Sequence, residues 1–98
     1  MGKYLLTYTG GAMAQTDEER QAVMAAWGTW FGTLGSAIVD PGNPCGESRS
    51  LGAASGGSLT GYTVLSADSL ESATELAKGC PVLTDGGGVE VYETFEVM

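Results

Sequence analysis

Alternating apolar and polar residues predict four β-strands in this chain. In the first strand, Tyr4, Leu6 and Tyr8 share one face, because successive side chains of a strand point to opposite sides. The second strand should end at Pro41, which has no backbone N–H to contribute to a ladder. The four strands are predicted at residues 3–9, 36–40, 61–67 and 89–98.

A helical period replaces the alternation after Thr16. Thr16 and Glu19 have the spacing of a capping box, and Gly35 is expected to end the helix. At about 100° per residue, the large apolar side chains form one stripe that should lie on the sheet. They are Val23, Met24, Trp27, Trp30, Phe31 and Leu34.

A second, shorter helix is predicted after the third strand. Asp68 is expected to cap it, with Glu71 as the capping-box partner. Gly79 should end this helix, and Pro81 should prevent it from restarting.

Two glycines inside the first helix need an explanation. Gly28 and Gly32 each cost the helix about 1 kcal/mol relative to alanine. Either another backbone or a large aromatic side chain packs closely against them, or they leave room for a ligand.

The element order is β-α-β-β-α-β, which predicts an α+β, ferredoxin-like fold with both helices on one face of a four-stranded antiparallel sheet. We expect residues 1–98 to form a single domain. Nothing predicted in the chain covers the other face, to which the alternation assigns Tyr4, Leu6, Tyr8, Tyr62, Val64 and Tyr92. A large apolar sheet face favours burial, so we expect a two-fold homodimer in which one sheet packs against the other.

The last predicted strand contains an acid in its apolar row. Glu93 shares a face with Val89, Val91, Phe95 and Val97. It lies at a bulge that breaks the alternation, at a solvated edge, or against a pocket as an acid or base with a raised pKa.

The charge excludes some partners. Twelve acids and four scattered bases give a net charge of −8, whereas nucleic acids and anionic membranes need clustered cations. No apolar run approaches the ~20 residues of a membrane span, and residues 1–9 do not resemble a signal peptide, so we expect a cytoplasmic protein.

The chain has no histidine, which excludes histidine-based acid–base chemistry within one subunit. Cys45 and Cys80 are expected to be thiols rather than a disulfide. With these residues we expect no metal site and no cofactor.

Several motifs together resemble one family. They are KYLLTY at 3–8, MAAWGTWFGTLG at 24–35, IVDPGNP at 38–44, the run GYTVLSADSLESATELAKGCPVL at 61–83, and VEVYETFEVM at 89–98. In this order they resemble the YCII-related family, also called DGPF-domain proteins, and in particular a subgroup with a D-x-G-N-P turn. The resemblance implies a dimeric α+β barrel and a pocket between the first helix, the sheet and the partner subunit.

The resemblance also bears on catalysis. Family members regarded as small lyases or dehalogenating enzymes carry a histidine on the first helix and an aspartate after the second strand. Asp40 matches the aspartate, but the histidine's place falls near Met24, and residues 52–60 lack the DGPF stretch. The proposed base is therefore missing, and enzyme status does not transfer.

Asp40 itself has two interpretations. In the structural one, its carboxylate accepts hydrogen bonds from the Gly42 or Asn43 amides in an Asx-type turn. In the functional one, Asp40 points into a cavity, where Asn43 donates to a ligand. The two prolines that bracket this turn make it rigid, which suits either role.

Three functions remain open. The first is a homodimer that binds a small organic carboxylate or aromatic molecule, with binding residues Tyr8, Met24, Trp27, Trp30, Asn43, Tyr62 and Glu93. The second is a small lyase, hydrolase or dehalogenase with Asp40 as acid–base, assisted by Tyr8 or Glu93. The third is an accessory subunit that acts through protein contacts.

Overall fold

The βαββαβ order predicted from the sequence is confirmed. A computed structural model describes residues 2–10, 15–54, 59–84 and 86–97. The main elements are β1 (Gly2–Thr9), α1 (Asp17–Leu34), β2 (Ile38–Asp40), β3 (Leu59–Ala67), α2 (Leu70–Ala77) and β4 (Gly88–Glu93). Short 3-10 turns span Gly35–Ala37 and Pro81–Leu83.

The four strands form one antiparallel sheet in the order β2-β3-β1-β4, as a ferredoxin-like fold requires. Leu6 on the central strand β1 lies opposite Thr63 on β3 and Val91 on β4. Tyr4 lies opposite Leu65 in the same way. These side chains therefore share one face, and Leu6, Thr63 and Leu65 are fully buried there.

Both helices cover this buried face. Trp30 and Leu34 of α1 are in the same core cluster as Leu6 and Leu65, and Ala77 of α2 joins it. Ala73 of α2 packs in a second cluster with Tyr4 and Ala67. Because Ala73 and Ala77 carry only a methyl group, α2 can approach the sheet closely, whereas α1 meets the sheet through a large aromatic ring.

The prediction assigned the residues of one strand, β1, to the wrong face of the sheet. Tyr4, Leu6 and Tyr8 of β1 lie on the helix-covered face and are buried. Tyr62, Val64 and Tyr92 lie on the opposite face, because Thr7 pairs with Tyr62 while Leu5 pairs with both Val64 and Tyr92. Alternation groups residues within a strand, but only the pairing register relates one strand to the next.

The uncovered side of the sheet, called the open face below, is mainly apolar at its centre. Leu5, Tyr62 and Val64 are half-buried there, and Tyr92 is 47% exposed. Both described helices lie on the other face, so no helix shields these side chains from solvent.

The helix ends agree with the sequence for α1 and differ for α2. The Thr16 hydroxyl accepts from the Glu19 amide at 3.1 Å, and Gly35 ends α1, as predicted. In α2, however, Ser69 and not Asp68 is the cap, since its hydroxyl accepts from the Ser72 amide at 3.1 Å. The helix begins at Leu70, which leaves Asp68 one residue too far upstream.

The second and fourth strands are shorter than predicted. The 3-10 turn takes up the start of the predicted second strand, and β4 ends at Glu93. Beyond it, Phe95 and Val97 are at least 80% exposed, and Met98 lies outside the described residues.

Glu93 occupies a solvated edge, one of its three interpretations. It pairs with Tyr4 at the end of β4 with no register shift between the strands, so a bulge does not explain its position. Its side chain is exposed on a strand that has a neighbour on one side only.

The turn after β2 depends on a glycine. Gly42 has a φ of +78°, a conformation that L side chains rarely adopt, and a Cβ placed there would overlap the carbonyl oxygen of Tyr62. This close approach holds the turn against β3, where the Tyr62 amide donates to the Asn43 carbonyl at 3.3 Å.

We expect Gly42→Ala to lower the free energy of unfolding by at least about 2 kcal/mol, because it adds both overlap and backbone strain. Gly46→Ala is the matched control: a Cβ there meets no described atom within 4 Å, and Gly46 does not have a positive φ. Urea unfolding of both variants checks this, and equal stability of the two would contradict the role given to Gly42.

Candidate functional site

A cavity of about 640 Å³ lies between α1, the turn after β2 and the first half of β3. Each of these three segments contributes four lining residues. From α1 come Met24, Trp27, Gly28 and Phe31; from the turn come Pro41, Gly42, Asn43 and Pro44; and from β3 come Thr60, Gly61, Tyr62 and Thr63. Tyr8 of β1 and Val82 of the second 3-10 turn complete the lining.

Aromatic rings form the wall on the helix side. The Trp27 ring meets the Tyr8 ring edge to face, with centroids 5.2 Å apart, and lies 5.7 Å from the Phe31 ring. Such arrangements are favourable for aromatic pairs and keep the rings in fixed orientations. The cavity is thus bounded by ring faces and edges that suit a flat apolar guest.

Trp30 holds this wall in place from behind. Its ring packs edge to face on Trp27 at 5.6 Å, and its indole N–H donates to the Leu76 carbonyl of α2 at 3.0 Å. Gly79 gives the indole room, since a Cβ there would lie 2.9 Å from the Trp30 ring. Trp30 therefore joins α1 to the end of α2 and is a core residue rather than a lining residue.

A chain of hydroxyl groups links Tyr8, Thr63 and Pro41, three of the lining residues. The Tyr8 hydroxyl donates to Thr63 Oγ1 at 2.6 Å, and the Thr63 hydroxyl donates to the Pro41 carbonyl at 3.0 Å. Burial raises the pKa of Tyr8 well above its ordinary value, so this phenol stays protonated.

The Cys80 thiol lies beside the Tyr8 hydroxyl. Its burial raises the pKa of Cys80 to about 11, which keeps it as an unreactive thiol near neutral pH. Cys45 is also a free thiol, and it is exposed.

The lining contains no charged side chain among the described residues. Three of the four bases pair with nearby acids on the surface: Arg20 with Asp17, Arg49 with Glu47, and Lys78 with Glu75. Within the described ranges, no group of three or more potential ligand side chains is placed to hold a metal ion. The cavity is therefore apolar, with a few neutral hydrogen-bonding groups.

Five of the eight residues singled out from the sequence are brought together around the cavity. They are Tyr8, Met24, Trp27, Asn43 and Tyr62. Met24 is 73% exposed and lies at the rim. Asn43 is also exposed, and its side chain has no hydrogen-bond partner in the described part of the chain, so its amide is available at the entrance.

The other three residues lie outside the lining. Trp30 is buried behind the wall, and Glu93 is at the end of the edge strand β4. The Asp40 carboxylate accepts from the Gly42 amide at 2.9 Å and is exposed. This is the Asx-type turn of the structural interpretation.

Sequence reasoning missed several lining residues, of which Thr63 matters most. A threonine in a strand carries no signal of its own, but its shared parity with Leu65 placed it on the covered face. Phe31 was assigned only to the core stripe, and Val82 lies in a 3-10 turn that was not predicted. For Gly28 and Gly32, no described atom lies within 4 Å of an added Cβ, so close packing within the chain does not explain them.

Comparisons with protein-family models, curated proteins and solved structures gave no match. Among the described residues, no helix combines the length and apolarity needed to cross a membrane.

The Asx-type turn gives a prediction for Asp40. Asp40→Ala removes the acceptor of the Gly42 amide, and we expect it to lower the free energy of unfolding by about 1 kcal/mol. Asp40→Asn keeps a side-chain oxygen and should lose less. Thermal unfolding distinguishes the two, and an alanine variant as stable as the wild type would rule out the capping role.

Proposed function

We propose that this protein binds a small, uncharged aromatic molecule in the cavity beside α1. The observation that carries the proposal is the 640 Å³ volume, bounded by Tyr8, Trp27, Phe31 and Tyr62. Cavities of roughly 300–1,000 Å³ with apolar walls and a few convergent polar groups are the usual form of small-molecule sites.

The charge of the site favours an uncharged ligand over a carboxylate. A carboxylate would lose much of its hydration on entry, and no described lining residue carries a compensating positive charge. The net charge of −8 adds a long-range repulsion for anions. Of the two ligand classes expected from the sequence, the aromatic one has the stronger support.

No comparable observation favours catalysis. The candidate acid–base, Asp40, is exposed, caps a turn and lies outside the lining. Membership of the YCII-related family likewise stays a proposal, supported by the quoted motifs and the βαββαβ order.

We also propose that the protein is a homodimer joined through the open face. Leu5, Tyr62 and Val64 form a continuous half-buried patch, because their strands are adjacent and their registers align. Exposed Tyr92 extends this patch onto β4. A second copy related by a two-fold axis presents the same patch and is the simplest cover for it.

Binding is tested by titrating the protein with phenol and indole while measuring melting temperature, and with phenol alone while measuring tryptophan fluorescence. Trp27 lines the cavity, so a bound ring should change its emission. A ligand at a hundred times its dissociation constant stabilises the folded state by about 2.7 kcal/mol. The absence of any shift at millimolar concentrations would contradict the proposal.

Two glycine variants locate the site. Gly28→Leu places a side chain in the cavity and should weaken binding by more than about tenfold, or 1.4 kcal/mol. Gly32→Leu is the matched control, because Gly32 lies one turn further along α1, has open space around it and does not line the cavity. Both changes improve helix propensity by up to about 0.8 kcal/mol, so a binding loss shared by both variants would count against this site.

The dimer is tested by sedimentation at micromolar concentration. Val64→Lys buries a charge in the proposed interface and should give monomers, whereas Gln21→Lys adds the same charge on the exposed side of α1 and should leave the dimer intact. A well-folded wild-type monomer at this concentration would overturn the proposal.

A further inference from the structure

The hydroxyl chain in the cavity wall has only one possible direction. The Pro41 carbonyl accepts and cannot donate, so the Thr63 hydroxyl must donate to it. Threonine has a single hydroxyl proton, which this bond uses. The bond between Tyr8 and Thr63 must therefore be donated by Tyr8.

This direction determines which hydrogen bond the Tyr8 oxygen can still make. Its proton is committed to Thr63, so what it has left to offer a neighbour is a lone pair. The Cys80 thiol lies nearby, but a thiol is a weak donor and a poor competitor for that lone pair. The Tyr8 oxygen is thus an acceptor for stronger donors.

Because both hydroxyl groups are buried, the direction of these hydrogen bonds is fixed. Thr63 is fully buried and Tyr8 is 5% exposed, so water does not readily substitute for either bond. All three members of the chain, Tyr8, Thr63 and Pro41, also belong to the cavity lining. The exposed Asn43 amide can both donate and accept, but it remains in water at the rim, where a hydrogen bond adds little.

We infer that the cavity selects aromatic ligands that carry a hydroxyl or N–H donor, and discriminates against aromatics whose polar group only accepts. This inference rests on the proposed function, whose site it makes more specific. A phenolic ligand donates to Tyr8, whereas an aryl ether or a carboxylate places an acceptor against the Tyr8 lone pair. Thr63 acts here as a positioning residue, since it fixes the direction in which the Tyr8 proton points.

The first experiment needs no variant. Calorimetric titration of the wild-type protein with phenol, anisole and benzoate compares a donor, a neutral acceptor and an anionic acceptor on the same ring. We expect phenol to bind at least about tenfold more tightly than the other two, because a polar contact without a matching donor is costly in a buried site. Equal affinities for phenol and anisole would overturn the inference but leave the proposed function standing. Failure of all three to bind would contradict both.

Two substitutions test the origin of the preference. Tyr8→Phe removes the acceptor, so the ratio of phenol to anisole affinity should fall by at least about fivefold. Thr63→Val removes the acceptor for the Tyr8 proton, which is then free to point at a ligand, and the preference should shift toward anisole.

Thr63→Ser keeps the hydroxyl and should keep the wild-type preference, with circular dichroism confirming that each variant is folded. A phenol preference that survives unchanged in folded Tyr8→Phe protein would overturn the assignment to Tyr8. If Thr63→Val and Thr63→Ser behave alike, the directional chain is refuted.

Discussion

The need to satisfy one buried hydroxyl organises this molecule. Thr63 is fully buried, and an unpaired hydroxyl in such a place costs roughly 1–3 kcal/mol. It is satisfied by Tyr8, 55 residues away in sequence, and by the Pro41 carbonyl, 22 residues away. These two bonds join β1, β3 and the turn after β2 at a single point. The turn is held there by Gly42 as well, which approaches the Tyr62 backbone more closely than any side chain would permit. Backbone hydrogen bonds from Tyr62 to Asn43 and from Cys45 to Thr60 also hold the turn along β3, where it forms one side of the cavity.

The two helices present side chains of different size to the sheet. Helix α2 presents Ala73 and Ala77 and packs closely, whereas α1 presents Trp27, Trp30 and Phe31. Large rings fill space at the end of α1 near Leu34, where Trp30 is bonded to α2. Toward Met24, at the other end of the aromatic cluster, there is no further ring, and Gly28 leaves open space. A helix with large residues along its whole inner face would close this space. Gly28 and the exposed Met24, which look unfavourable for α1, both line the opening.

The sequence predicted what depends on local periodicity and missed what depends on pairing. Helix α1, its Thr16 cap and its Gly35 stop follow from neighbouring residues, and so does the order of the elements. The faces of the sheet do not, because the register that puts Thr63 beside Leu6 is set by contacts between distant strands. Grouping Tyr8 with Tyr62 failed for this reason. Five of the site residues were found because large aromatic and turn residues are conspicuous, whereas Thr63 is informative only once its two partners are known. The cap of α2 moved by one residue, from Asp68 to Ser69, because both residue types cap helices well and the sequence does not distinguish them.

Tyr62 connects the cavity with the open face of the sheet. The family resemblance placed the pocket between the first helix, the sheet and a partner subunit, which would make binding depend on assembly. Within one chain, α1, the turn after β2 and β3 already bound a cavity of about 640 Å³. The open face, where we place the dimer contact, is the other side of the same sheet. Tyr62 takes part in both, since its register assigns it to the open face while it also lines the cavity. Tyr62 is therefore the residue at which ligand binding and the proposed self-association meet, and its carbonyl oxygen lies directly against Gly42.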